Sequence, residues 1–129
     1  MRIMIDANII VSAVLFPGSI TSKALTTAMK EHHLLICTYV LDEVSSVFTR
    51  KFPDKIDVLN NFLLEMSYES CNTPMVDDST PAMRDNDDRP ILQAAVNAKA
   101  DAILTGDKDF HALRTKYPVI ISPSTMLTL

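Results

Sequence analysis

Ile3-Met4-Ile5, Leu34-Leu35-Ile36-Cys37, Ala102-Ile103-Leu104 and Val119-Ile120-Ile121 are short apolar runs with no polar residue on alternate positions. A strand that faces water on one side alternates, and one buried on both faces does not. These runs therefore predict a parallel sheet covered on two sides, which needs helices between the strands. The intervening sequence supplies them. Helical patterns cover Ile9–Leu15, Ser19–Glu31, about Tyr39–Arg50, about Asp54–Met66 and Pro90 to about Ala100. Pro17-Gly18 ends the first and Pro53 stops the third, while Pro90 suits a first helical turn. Asp6 or Asn8 can cap the first helix, and Thr38 the third. A weaker strand is expected at Ser67–Cys71, a loop from Asn72 to Arg84, and a helical turn at Phe110–Arg114. The expected architecture is an α/β three-layer sandwich with a central, mostly parallel sheet, in a single domain over residues 1–129.

A chain of 129 residues with 47% hydrophobic content buries roughly two thirds of its unfolded surface and needs no disulfide. Cys37 and Cys71 lack metal-site spacing and are expected as reduced thiols. No apolar run approaches the ~20 residues of a membrane helix. Met1-Arg2-Ile3-Met4-Ile5 leads straight into a strand expected at Arg2–Ile5 rather than a signal peptide. A cytoplasmic location without membrane contact is expected.

Acidic residues carry the functional signal. Asp6 follows the first strand, and Thr105-Gly106-Asp107-Lys108-Asp109-Phe110 follows the strand at 102–104. Arg84-Asp85-Asn86-Asp87-Asp88-Arg89-Pro90 precedes the helix that feeds that strand. Ligands of open parallel sheets sit outside the carboxyl ends of the strands, so Asp6 and Asp107 emerge on one edge and Asp88 approaches it. Glu43, early in the third helix, reaches the edge from the side. Carboxylates gathered this closely raise one another's pKa values or demand cations. Their hard oxygen ligands suit Mg²⁺ or Mn²⁺, and such ions can activate a water and stabilise the leaving oxygen of a phosphodiester. The net charge of −4 does not exclude a nucleic-acid substrate. Setting aside Asp6, Glu43, Asp85, Asp87, Asp88, Asp107 and Asp109 leaves 9 acids against 12 bases, a balance of +3.

Strand-Asp6-x-Asn8, a helical Glu43, Asp88 ahead of an apolar helix, and Thr105-Gly106-Asp107-Lys108-Asp109-Phe110 resemble the PIN domain, in the family's order and over nearly the whole chain. Asp85–Phe110 and Leu41–Phe52 look most like the PIN-family toxins of toxin–antitoxin systems. The resemblance implies metal-dependent cleavage of single-stranded RNA by a metal-activated water, leaving 5′-phosphate and 3′-hydroxyl ends. It implies Asp6, Glu43, Asp88 and Asp107 as the central catalytic and metal-holding acids, with Asp109 and Asp85 as further metal ligands. Asn8 and Thr105 are the implied supporting polar groups. Asp85-x-Asp87-Asp88 offers three candidates for the third acid, and Asp88 is chosen because it stands three residues before Ile91. Asp42 competes with Glu43, which is preferred for its position and its Glu identity. The implied partners are an RNA substrate, a small antitoxin protein and a second copy of the chain.

Plain structural roles are also open: Asp6 and Asn8 can form a turn and cap, Asp87, Asp88 or Asp107 can be an N-cap, and Glu43 can be a solvated helix residue. Arg84, Arg89 and Lys108 can pair with the acids or touch phosphate. Tyr39 and Phe16 can stack bases, although Phe16 also suits a core. His32-His33 reads as a helix end, and His111 as a surface residue near the site. The competing functions are a metal-dependent phosphatase, a PIN-like RNA-binding module without catalysis, and a receiver-like phosphoacceptor domain using Asp54.

Overall fold

A computed structural model describes residues 1–113 and 115–129. Five strands form one sheet: β1 (Arg2–Ile5), β2 (His33–Cys37), β3 (Glu69–Cys71), β4 (Ala102–Leu104) and β5 (Val119–Ile121). Their order is β3-β2-β1-β4-β5 and every pairing is parallel. Ile3 lies between Leu34 and Ala102, and Met4 between Leu35 and Ile103. The side chains of Ile3–Ile5, Leu34–Ile36 and Ala102–Leu104 are buried, which is why these three strands read as unbroken apolar runs. The flanking strands are mixed. Glu69 and Ser70 of β3 and Val119 of β5 are exposed, as edge positions allow.

Helices cover both faces. α1 (Ala7–Leu15) and α2 (Ile20–Glu31) join β1 to β2, and α3 (Thr38–Lys51) and α4 (Ile56–Glu65) join β2 to β3. α5 (Arg89–Asn97) leads to β4, and α6 (Lys108–His111) lies between β4 and β5. α7 (Pro123–Met126) packs back on α2. The expected turn at Phe110–Arg114 begins earlier, at Lys108, because Asp107 caps it. Its expected end at Arg114 lies outside the described residues. Among the described residues no single helix is long and apolar enough to cross a membrane.

Three local expectations change. Thr38 does not cap α3. It is the helix's first residue, and its hydroxyl pairs with that of Thr73 at 2.9 Å. The Tyr39 amide donates to Thr73 Oγ1 at 2.7 Å, so the cap comes from the chain leaving the neighbouring strand. The helix expected at Asp54–Met66 starts with a 3-10 turn, Pro53–Lys55, and that turn holds Asp54 exposed and away from any strand end. A receiver-like phosphoacceptor role for Asp54 loses its structural basis. His33 is not at a helix end but opens β2, with Nε2 3.3 Å from Glu69 Oε1. Cys37 and Cys71, partners in the β2–β3 register, are both free thiols.

Candidate functional site

The connection from β1 runs to β2 on one side, and that from β4 runs to β5 on the other. Adjacent strands whose connections diverge leave a crevice at their carboxyl ends. Here those ends are Ile5 and Leu104, which are register partners, and Asp6 and Thr105 are the next residues out of the sheet.

Asp6 is 4% exposed and fully engaged. Its Oδ1 accepts from the Ala7 amide at 2.7 Å, capping α1, and its Oδ2 accepts from Thr105 Oγ1 at 2.6 Å. Burial raises its pKa, the Thr105 and Ala7 bonds oppose that, and the charge of Asp107 adds to the rise. Thr105 is itself fully buried. Its hydroxyl also accepts from the Asp107 amide at 3.0 Å, and its carbonyl lies 2.9 Å from His111 Nε2. Asp107 then caps α6 by accepting from the Asp109 amide at 2.8 Å. The Thr-Gly-Asp-Lys-Asp sequence thus folds as a chain of turns that turns its acids toward Asp6.

The other acidic knot folds differently from expectation. Asp88 does not cap a helix with its side chain. Asp85 does the capping, accepting from the Asp87 amide at 2.9 Å at the head of a 3-10 turn, Asn86–Asp88, that runs into α5. This frees Asp88. One carboxylate oxygen each from Asp85, Asp88 and Asp109 lies within 4.8 Å of the others. Asp88 Oδ2 is buried without a hydrogen-bond partner. Desolvation and contact with the Asp107 side chain, reinforced by the charges of Asp107, Asp6 and Asp85, push the Asp88 pKa up to about 8.

Glu43 is exposed on α3, beyond the buried line of Val40, Val44 and Phe48. Its pKa is raised by desolvation and then by the charges of Asp6, Asp85 and Asp87, and it lines a cavity with Ala7 and Asn8, the two residues after Asp6. Asn8 makes no side-chain hydrogen bond to these acids among the described residues. It lines a cavity of about 230 Å³ with Ala7, Val11, Ser12, Glu43 and Val47. Tyr39 ties α3 to the acidic turn by donating from its hydroxyl to the Asp87 carbonyl at 2.7 Å.

The neighbouring cations behave unequally. Arg84 Nη1 lies 3.7 Å from Asp109 Oδ1, with the Arg84 side chain 81% exposed. Lys108 forms no ion pair among the described residues. Arg89 turns away from the acids and donates to the Asp77 and Thr80 carbonyls at 3.2 and 2.7 Å. Gln93 escaped sequence reasoning altogether, though a glutamine among the apolar positions Ile91, Leu92, Ala94 and Ala95 is the signal that finds it. It is fully buried. Phe16 is 62% exposed rather than part of the core.

An oxygen-only donor set, with one buried carboxylate oxygen left unpartnered and the charges of Asp107, Asp6 and Asp85 acting on it, fits a hard divalent cation. A cation held there would satisfy Asp88 Oδ2 and offset the repulsion that lifts its pKa.

A PIN domain family model matches residues 2–109. No curated protein sequence matches the chain. Among solved structures, the chain is similar to a crystal structure of VapBC2 from Rickettsia felis bound to a DNA fragment from their promoter. The TM-score is 0.71 at 17% identity, over 95% of this chain and 98% of that one. A likeness at this identity concerns the fold. The family match runs from the first strand through both acidic knots, and the chain belongs to the PIN domain family.

Proposed function

We propose that the protein is an endoribonuclease that uses Mg²⁺ or Mn²⁺ to cleave single-stranded RNA, and that it is the toxin of a toxin–antitoxin pair in the cytoplasm. The observation that carries this reading is the unpartnered, buried Asp88 Oδ2 among the carboxylates at the β1/β4 crevice. PIN domains are generally nucleases. RNA as the substrate rests on the resemblance to PIN-family toxins, and an antitoxin partner on the similarity to VapBC2.

Asp6, Glu43, Asp85, Asp88, Asp107 and Asp109 are the residues proposed to hold the cation. When bound, it supplies a water activated at neutral pH and charge stabilisation at the phosphodiester. Thr105 fixes the Asp6 carboxylate through its 2.6 Å bond and holds the turn that carries Asp107. Glu43, with its raised pKa, is a carboxyl group at the rim that can take up or release a proton as substrate enters. Arg84 can leave its exposed pairing with Asp109 to meet a phosphate. A second copy of the chain is a further proposed partner.

The test incubates the purified protein with labelled single-stranded RNA and DNA of one sequence, with Mg²⁺, Mn²⁺ or chelator. Metal-dependent cleavage of the RNA, leaving 5′-phosphate ends, is expected. Equal cleavage in chelator would sink the metal mechanism. Release of terminal phosphate with the chain intact would replace the reading by a phosphatase. Sedimentation of the protein alone and with the product of a small adjacent gene tests the two protein partners.

A further inference from the structure

The chain between β3 and α5 has no regular structure until Asn86, yet it delivers Asp85 and Asp88 to the site. Its course is fixed from below by two residues one helical turn apart on α5. Gln93 Oε1 accepts from the Asp77 amide at 3.1 Å and lies 3.2 Å from Thr80 Oγ1. Gln93 Nε2 donates to Ser79 Oγ at 3.1 Å and Asn97 Oδ1 at 2.9 Å. The Asp77 amide can only donate, so the orientation of the Gln93 amide is set. Arg89, four residues earlier and on the same side of the helix, donates to the Asp77 and Thr80 carbonyls. The turn they grip is pre-formed, since Asp77 Oδ1 accepts from the Ser79 amide at 2.7 Å. Thr80 is buried, and so is Met83, which anchors the chain in the core two residues before Asp85.

We propose that Gln93, assisted by Arg89, is a positioning residue for the acidic turn: it locks the Asp77–Thr80 turn onto α5 and thereby sets where Asp85 and Asp88 present their carboxylates. The inference rests on the cation-holding reading of those acids. A glutamine inside a helix at 0% exposure is unfavourable unless its polar atoms are satisfied, and here every one of its bonds beyond α5 goes to this loop. Carboxylates that share a cation need fixed separations, so a loop without helix or strand of its own requires an outside brace. Groups bonded directly to metal ligands typically change metal affinity about 10–100-fold when removed, and Gln93 acts one step further out through the loop.

The test measures Mn²⁺ binding by calorimetry, together with amide hydrogen exchange, in the wild type and in Gln93→Met, which keeps the bulk and removes the bonds. The expected result is faster exchange at Asp77, helical content unchanged, and Mn²⁺ affinity lower by up to about tenfold. Gln93→Glu keeps an acceptor for the Asp77 amide and should restore part of that affinity. A residue that only stabilises the fold would lower the melting temperature and leave affinity intact below it. Should Gln93→Met fail to fold, Thr80→Val removes one bond to Gln93 without touching α5, and a smaller loss in the same direction is expected. Wild-type affinity in a folded variant whose Asp77 amide has lost protection overturns the inference alone. Absence of Mn²⁺ uptake by the wild type overturns the site reading, and this inference with it.

Discussion

Thr105 Oγ1 donates to Asp6 Oδ2 at 2.6 Å, across 99 positions of sequence and one strand spacing. The bond is buried and one of its partners is a carboxylate, so Thr105→Val leaves an anionic oxygen without a donor at nearly constant shape. Losing a hydrogen bond to a charged group costs roughly 1.5–3 kcal/mol. Urea unfolding should show a loss of that order in Thr105→Val and a smaller one in Thr105→Ser. Unchanged stability in the valine variant would mean that Asp6 is protonated or satisfied by water.

Asp88 makes stability depend on pH in a direction opposite to that of ordinary paired carboxylates. Its pKa is raised from 3.8 to about 8 in the folded chain, and those of Asp6 and Glu43 are raised as well. Between these limits the folded state holds more protons than the unfolded state. The contribution of these three groups to stability is therefore fullest below about pH 4, declines as pH rises toward about 8, and is level beyond. Glu69 and Asp77, whose pKa values are lowered, act with the opposite sign and only at the acidic end. In chelator, the melting temperature should fall between pH 5 and pH 8, and Asp88→Asn should flatten the slope. Added Mn²⁺ should reverse the trend, because the cation competes with protons for the same oxygens. A wild-type melting temperature that climbs over this range would contradict the account.

Asp107 combines a cap with a charge, and the two can be separated. Asparagine keeps an acceptor for the Asp109 amide while removing the charge that presses on Asp88 and Asp6. Asp107→Asn should fold, with metal-free stability equal to or above that of the wild type at pH 8. RNA cleavage should fall by more than the ~10–100-fold typical of groups one shell away from a metal. Wild-type turnover in excess Mn²⁺ would remove Asp107 from the proposed ligand set.

Arg84 separates structural from substrate roles. Its pair with Asp109 is long and mostly exposed, and such pairs contribute about 0–1 kcal/mol. Arg84→Ala should therefore leave the melting temperature nearly unchanged. If Arg84 meets phosphate, KM for RNA rises with kcat largely kept, and a salt titration shows a shallower slope. A fall in kcat alone would assign it to the acids instead.

The strands were legible because burial on both faces writes itself as an unbroken apolar run. Arg2–Ile5 and Val119–Ile121 have the bounds expected from sequence. The α/β sandwich follows from those runs and the helical patterns between them, and the structure and the family match agree with it. Asp6 and Asp107 could be placed on one edge because each follows a strand, and parallel strands end together. What the sequence hid were interactions whose partner is remote. Thr38 looks like a cap until Thr73 takes its hydroxyl. Asp87 and Asp88 are both plausible helix starters, and only the 3-10 turn gives the capping to Asp85 and leaves Asp88 without it. Arg89 stands beside acids in the sequence but is bound to carbonyls of residues 77 and 80. The strand order, and with it the crevice, depends on a crossover from β3 to β4 that passes β2 and β1, which no local pattern announces.

Because the crevice lies between the first strand and the fourth, it cannot exist in a partial chain. β1 leaves the ribosome early and meets β2 first, but its other edge waits for residues 102–104. Until then Asp6 has neither the hydroxyl of Thr105 nor the company of Asp107. A site so arranged is incomplete throughout most of the chain's own synthesis. The gathering of Asp6, Asp88 and Asp107 begins only when nearly the entire polypeptide is available, so whatever binds there meets a finished fold.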